Sequence, residues 1–249
     1  MRASLNELSN RGARKFDSVL AALVRVLPAS CTLCGDAADA SLLCAPCMNA
    51  LPPLPPACPV CALPSPGAAV CGRCLRQPPR VAATLAPCVY AFPLDRLVQA
   101  FKYGRRLALA VPLGDALAAM ALRAPPSLPR PDALVPMPLA RARQRQRGFN
   151  QAVEIARVVS RRTRIPLLHA LARPLDRPAQ ASLAWHERRA NVRGAFAAVA
   201  PATGRHVAIV DDVMTTGATI DAAAAALLAA GAARVDAWVV ARALPPGGA

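Results

Sequence analysis

Residues 207–219 read "VAIVDDVMTTGAT": an apolar run, two adjacent aspartates, then two threonines, a glycine and a further threonine ahead of an alanine-rich segment. The carboxylates Asp211 and Asp212 at the end of an apolar run do not stay unpaired in a dry interior, so they must face hydroxyl groups or a cation. Beyond them, residues Thr215, Thr216, Gly217, Ala218 and Thr219 form the mouth of a helix. Backbone N–H groups there, the helix's positive end and the threonine hydroxyls suit a phosphate group. Gly217 permits the backbone to come close to it. A sugar phosphate satisfies both halves, with its phosphate on the threonine turn and its ribose hydroxyls on the aspartates.

The second chemistry-bearing set is the cysteines. Eight of the nine form C-x-x-C pairs: Cys31 and Cys34, Cys44 and Cys47, Cys58 and Cys61, Cys71 and Cys74. Corresponding cysteines of the two halves are offset by a constant 27 residues, so the unit C-x2-C-x9-C-x2-C is repeated. Two thiolates three positions apart turn toward one ion, and a second such pair completes a tetrahedral S4 shell that suits zinc. Each unit is too small for an apolar core of its own, so metal binding supplies most of its folding free energy. The expectation is two structural zinc ions in closed sites. Disulfides would require an oxidising compartment, and redox C-x-x-C chemistry a thioredoxin-like context. Sequential pairing follows the repeat, but a cross-braced arrangement uses the same spacings, and both stay open. Cys88 stands outside the pattern and reads as a small buried hydrophobe.

These residues need elements to position them. After a leader (residues 1–29, with a short amphipathic helix in "FDSVLAALVRVLP") and a cysteine module (30–78), the texture changes. Residues 80–244 alternate strand and helix signals. "CVYAF" reads as a strand, "PLDRLVQAFKYG" as a helix, and "RLALAVPLGDALAAMALR" as helical with a break near Pro112 and Gly114. "ALVPMP" reads as an apolar strand, "LARARQRQRGF" as an arginine-rich loop, and "NQAVEIARVVSRR" as a helix capped by Asn150. "HVAIV", with the buried strand ending at Val210, and "VDAWVV" read as strands flanking the helix "TIDAAAAALLAAG", which Gly231 terminates. The alternation predicts an α/β fold with a parallel sheet flanked by helices. Ligands in such sheets bind beyond the carboxyl ends of the strands, where Asp211 and Asp212 lie.

Composition narrows the partners. Thirty Lys and Arg against fourteen Asp and Glu give a formal net charge of +16. All but Lys15 and Lys102 of the positive residues are arginines, which favours phosphate-bearing partners through bidentate guanidinium contacts. An alanine- and arginine-rich composition accounts for the same bias without any ligand. No apolar run reaches the roughly 18 residues of a membrane-spanning helix, and Asp17 and Arg25 interrupt the nearest approach. The expectation is a cytoplasmic chain without membrane insertion.

"VAIVDDVMTTGAT" resembles the phosphoribosyl-pyrophosphate signature of type I phosphoribosyltransferases. The whole pattern is a duplicated four-cysteine module, "FKYG", "VPMPLARARQRQRGFNQA", "PAQASLAWHERRANVRGAF" and then that signature. It resembles the ComF family of competence-associated, phosphoribosyltransferase-like proteins over about residues 31–242. Its most family-specific piece is "RQRQRGFNQ", with Arg143, Arg147, Gly148, Phe149, Asn150 and Gln151. The resemblance implies a type I phosphoribosyltransferase-like fold behind a double zinc ribbon. It implies that residues 215–219 hold a 5-phosphate and that Asp211 and Asp212 contact the ribose hydroxyls with magnesium nearby. Pro138, within the segment 136–139, would stand in the pyrophosphate loop, and Arg143 and Arg147 would neutralise the pyrophosphate with help from Lys102. Gln180, Arg188, Arg189 and Asn191 would belong to a hood segment. The chain departs from the pattern at Arg177, where relatives often carry threonine.

Two functions follow. One is an enzyme transferring phosphoribosyl from phosphoribosyl pyrophosphate to a nitrogen acceptor. The other is a non-catalytic nucleotide- and single-stranded-DNA-binding protein serving DNA uptake, with a helicase-like partner. Against the arginine assignments stands a solvated helix entrance or a nucleic-acid surface at residues 141–147, and against Lys102 a plain surface charge. His169, His186 and His206 show no zinc or triad spacing. Trp185, Trp238, Tyr90 and Phe149 read as packing residues, with base stacking open for Phe149.

Overall fold

The computed structural model describes residues 29–38, 42–174 and 194–245. The leader helix and the hood residues Gln180, Arg188, Arg189 and Asn191 lie outside them. The chain divides into two compact units, Met1–Ala50 and Leu51–Ala249, and the repeated cysteine unit occurs once in each.

In the first unit, β1 (Ala29–Ser30) pairs antiparallel with β2 (Ala37–Ala38). Cys31 and Cys34 sit in the turn between them, closed by Cys31 N–H donating to the Asp36 carbonyl at 2.7 Å. Cys44 caps α1 (Ala45–Asn49), which carries Cys47 and has proline in its first turn. The second unit opens on the same plan: Cys58 and Cys61 in a turn, and Cys71 capping α2 (Gly72–Arg76), which carries Cys74. This second knuckle is tied to the body by Thr84, whose N–H donates to the Pro59 carbonyl at 2.8 Å and whose hydroxyl donates to the Val60 carbonyl at 2.6 Å.

The body is a five-stranded sheet. Its edge strand is broken into β3 (Thr84–Leu85) and β4 (Cys88–Val89), both parallel to β9 (Arg234–Arg242). β9 pairs with β8 (His206–Met214), and β8 with β5 (Ala133–Pro136), all parallel. Side chains alternate across a strand. Val135, Val207, Ile209, Val235, Ala237 and Val239 join one apolar cluster with Ile220, Ala223 and Leu227 of α7 (Ala218–Ala229). Leu134, Ala208, Val210, Trp238 and Val240 are buried as well. On their side lie α4 (Ala110–Leu122) and α6 (Gln151–Thr163), which pack on each other and on β8 and β9. Burial on both faces is why these strands read as continuous apolar runs. Cys88 is buried at β4, and burial pushes its thiol up to about 11, in line with an inert hydrophobe.

Several local expectations hold. α3 (Leu94–Tyr103) runs from Pro93 to Gly104, and the Asn150 side chain caps α6 by accepting from Ala152 N–H at 2.9 Å. Two do not. The helix at 110–122 is unbroken, because Pro112 falls in the first turn, where no intrahelical N–H is required. The arginine-rich stretch is not a loop but α5 (Arg141–Arg147), closed by Gly148. Among the described residues no helix is long and apolar enough to cross a membrane.

Gly114 is required by the α4–α6 contact: a Cβ built there would lie 2.6 Å from Val158 Cβ. We expect Gly114→Ala to lower stability by about 1–3 kcal/mol, since overpacking forces neighbours off their rotamers. A urea melt of the two proteins checks this by the midpoint shift.

Candidate functional site

The site forms at the carboxyl end of the sheet, on its central strand. β8 runs to Met214, beyond the expected end at Val210, and the strand pairing with β9 continues through Asp211↔Val239 to Met214↔Arg242. The aspartates therefore stand on the strand itself, on opposite faces, and not on a loop after it. Each carboxylate takes the next backbone amide: Asp212 N–H donates to Asp211 Oδ1 at 2.8 Å, and Val213 N–H to Asp212 Oδ1 at 2.7 Å. Lys102, from the last turn of α3, reaches Asp212 Oδ2 at 2.8 Å. It is not a plain surface charge. Asp211 is partly buried, and desolvation first, then the neighbouring negative charge of Asp212, raises its carboxyl to about 7 against the counteracting amide, Lys102 and Arg173.

The turn after the strand is built on one glycine. Gly217 lies at φ +82, a left-handed conformation that disfavours side chains, and a Cβ there would lie 2.7 Å from Met214 Cε. α7 starts at the next residue. The Thr216 hydroxyl is turned inward and accepts from Ala218 N–H at 3.2 Å, whereas Thr215 is exposed.

A cavity of about 210 Å³ opens between these elements. Lys102, Pro138, Arg143, Arg147, Asp211, Asp212, Thr215, Gly217 and Thr219 all line it, while Thr216 and Ala218 do not. Helix formation over 141–147 explains how Arg143 and Arg147 arrive together, one helical turn apart. Arg147 lies with its guanidinium carbon 4.9 Å from the Tyr103 ring centroid and donates to the Tyr103 hydroxyl at 3.1 Å. Phe149 packs on Phe101 with ring centroids 5.5 Å apart, which is the packing role. Among the polar cavity residues, Gln151 and Arg173 carried no assigned role in the sequence, and Asn150 only that of a helix cap. Asn150 Nδ2 donates to the Met137 carbonyl at 3.0 Å, holding the segment after β5 against the start of α6. Gln151 is 3% exposed, and its Nε2 has no hydrogen-bond partner among the described residues. Its membership of "RGFNQ" was the available signal. Arg173 had none, because it directly follows the distant β6 (Leu171–Ala172), whose antiparallel partner is β7 (Ala197–Ala198). His206 lies at the opposite end of the sheet, with Nε2 2.8 Å from Asp236.

The cysteines group sequentially, Cys31 with Cys34, Cys44 and Cys47, and Cys58 with Cys61, Cys71 and Cys74, their sulfurs within 4.8 Å of one another in each set. Cys34 and Cys44 sulfurs are 3.6 Å apart, and Cys61 and Cys71 sulfurs 3.7 Å. A tetrahedral shell with Zn–S bonds of about 2.3 Å has S–S edges of about 3.8 Å, so each cluster fits one zinc ion. Although desolvation opposes ionisation, the amides of Cys71, Cys61 and Val60 bring the Cys58 thiol down to about 7, which favours the thiolate a metal takes.

Asp211 makes stability depend on pH. Its folded value near 7 lies above its ordinary 3.8, so the folded state binds more protons between these limits. The stability it contributes is complete below about pH 4 and is lost as pH rises through 7. We expect Asp211→Asn to remove that loss and to gain on the order of 1–2 kcal/mol over the parent at pH 8 but not at pH 4, as read from urea melts at the two pH values.

Comparison with known proteins agrees with this architecture. The family model for a double zinc ribbon domain matches residues 22–75, and that for a phosphoribosyl transferase domain matches residues 136–245. The chain is 37% identical over 182 residues to the DNA utilization protein YhgH of Escherichia coli strain K12, covering 70% of this chain and 78% of the relative. It is 32% identical over 179 residues to competence protein F of Haemophilus influenzae, with the same coverage. Among solved structures, a glutamine phosphoribosylpyrophosphate amidotransferase from B. subtilis, complexed with ADP and GMP, aligns at a TM-score of 0.38 and 19% identity over 57% of this chain and 30% of that one. Paired cysteine clusters ahead of a phosphoribosyltransferase-like sheet, and these two relatives along most of their length, establish that the chain belongs to the ComF family.

Proposed function

We propose that the cavity binds phosphoribosyl pyrophosphate and that the protein transfers its phosphoribosyl group to a nitrogen acceptor. One observation carries the reading: two carboxylates, a glycine-turned threonine loop and four cationic side chains, Lys102, Arg143, Arg147 and Arg173, drawn from three separate parts of the chain, line one cavity at the carboxyl end of a parallel sheet. The 5-phosphate sits on residues 215–219, where backbone N–H groups and the start of α7 offer partial positive charge. Asp211 and Asp212 accept hydrogen bonds from the ribose 2- and 3-hydroxyls. Arg143, Arg147 and Lys102 surround the pyrophosphate beside Pro138, and Lys102 meanwhile holds Asp212 in place. Positive charge developing at the anomeric carbon as pyrophosphate departs is stabilised by this fixed arrangement. The hard oxygen donors of Asp211 and Asp212 suit magnesium, which when bound with the substrate supplies charge neutralisation at the leaving pyrophosphate. Thiolate clusters persist where thiols stay reduced, which supports a cytoplasmic location.

A second role is favoured by the exposure of α5, where Arg141, Arg143 and Arg145 all face solvent, and by the printed names of the relatives, which refer to DNA utilization and competence. Single-stranded DNA would meet this arginine face, delivered to or received from a helicase-like partner. Nucleotide at the cavity and DNA on the helix are compatible.

Isothermal titration with phosphoribosyl pyrophosphate and magnesium tests the first role. We expect saturable one-site binding by the parent and none by the Asp211→Ala, Asp212→Ala double variant; absence of binding by the parent overturns the reading. For the second, a labelled oligonucleotide should be retained with steep salt dependence, and Arg141→Glu with Arg145→Glu, neither of which lines the cavity, should weaken retention about tenfold or more while leaving the titration unchanged.

A further inference from the structure

The floor of the proposed phosphate loop is held by two arginines, Arg73 from within the second cysteine cluster and Arg242 bonded to it. Arg242, the last residue of β9, is 1% exposed. Its Nη1 donates to the Met214 carbonyl at 2.9 Å, to the Ala243 carbonyl at 2.7 Å and to the Thr215 carbonyl. On its other side, Nε donates to the carbonyl of Cys61 at 2.8 Å. Arg73 lies between Cys71 and Cys74, and its Nη2 donates to the Thr216 carbonyl at 3.3 Å. Carbonyls 214, 215 and 216 are thus all drawn to one side. In a trans planar peptide the N–H points away from the C=O, so the N–H groups of Thr215, Thr216 and Gly217 are turned to the other. Thr215 and Gly217 line the cavity there.

We infer that the second cysteine cluster, acting through Arg242 and Arg73, positions the phosphate loop, and that phosphate affinity depends on zinc at that cluster. The inference rests on the assignment of residues 215–219 as the phosphate loop. Electrostatics support the geometry. Arg242 is a buried cation held by carbonyl oxygens, and burying a charge without a partner of opposite sign is costly. A zinc ion with four thiolates carries net negative charge, and Arg242 is joined to that cluster through the Cys61 carbonyl. The tetrathiolate cluster, the Arg242 guanidinium and a phosphate on the loop then alternate in sign. Arg242 and Arg73 are positioning residues: neither lines the cavity.

The test uses the full-length zinc-loaded chain and two readouts, amide hydrogen exchange at residues 215–217 without ligand and titration with phosphoribosyl pyrophosphate and magnesium. Cys71→Ser addresses the second cluster, and Cys44→Ser, in the other compact unit, serves as control. Arg73→Ala removes one loop bond without touching a metal ligand, and Arg242→Lys keeps the charge but not the four-way bridge. We expect Cys71→Ser to raise loop exchange and lower affinity about tenfold or more, as loss of groups that orient a binding shell does. Arg73→Ala and Arg242→Lys should each give about three- to tenfold, and Cys44→Ser should leave both readouts within twofold. Where Cys71→Ser does not fold, the two arginine variants decide. Unchanged loop exchange in both overturns the inference, as does an equal response to Cys44→Ser. Protection that falls as expected in a parent that binds no phosphoribosyl pyrophosphate upholds the loop support and overturns only the proposed ligand.

Discussion

Two carboxylates on the central strand of a sheet buried on both faces must be compensated from outside that strand, and the surrounding architecture meets that requirement. Burial on both faces forces β8 to be apolar as far as Val210, and its pairing with β9 carries Asp211 and Asp212 to the rim with no intervening loop. Such charges need amides, a cation or a ligand. The chain supplies the first two itself, through the following backbone N–H groups and through Lys102 of α3. What is left over is the raised carboxyl of Asp211, a cost that the hydroxyls of the proposed ligand would relieve.

The remaining electrostatics is an excess of arginine distributed by depth. Arg141 and Arg145 stay in solvent, where they cost little and attract polyanions at long range. Arg143 and Arg147 reach the cavity, and Tyr103 holds Arg147 in place. Arg242 is fully buried and serves the backbone, collecting carbonyls from a strand end, a turn and a cysteine knuckle. A net charge of +16 is therefore not one property with one purpose. The second knuckle, by the same logic, is part of the wall of the phosphoribosyltransferase-like body, where its Cys61 carbonyl accepts from the buried Arg242.

Much of this was legible in the chain. Apolar periodicity identified the strands and helices, Asn150 announced its cap, and the constant cysteine offset announced two metal units. The failures are informative. "LARARQRQRGF" looked like a loop because charged residues lack an apolar face, yet arginine and glutamine are good helix formers. Pro112 looked like a break because its position within the first turn was not apparent. Gln151 lay in a quoted motif without a role, since the orphaned amide of a buried glutamine exists only once α6 has docked. Arg73 and Arg242 are separated by most of the chain, and no local pattern connects them.

The division follows from range. Local chemistry determined what depends on residues a few positions apart: the helix mouth after "DD", the tetrathiolate spacing, the caps and the alternation that makes a parallel sheet. Only the tertiary structure decided how the cysteines group, which arginines reach the cavity, that Lys102 meets Asp212, and that the second knuckle holds the turn of "VAIVDDVMTTGAT" from behind. Those contacts join residues tens to nearly two hundred positions apart, and their energies exist only after the sheet has closed and water has left.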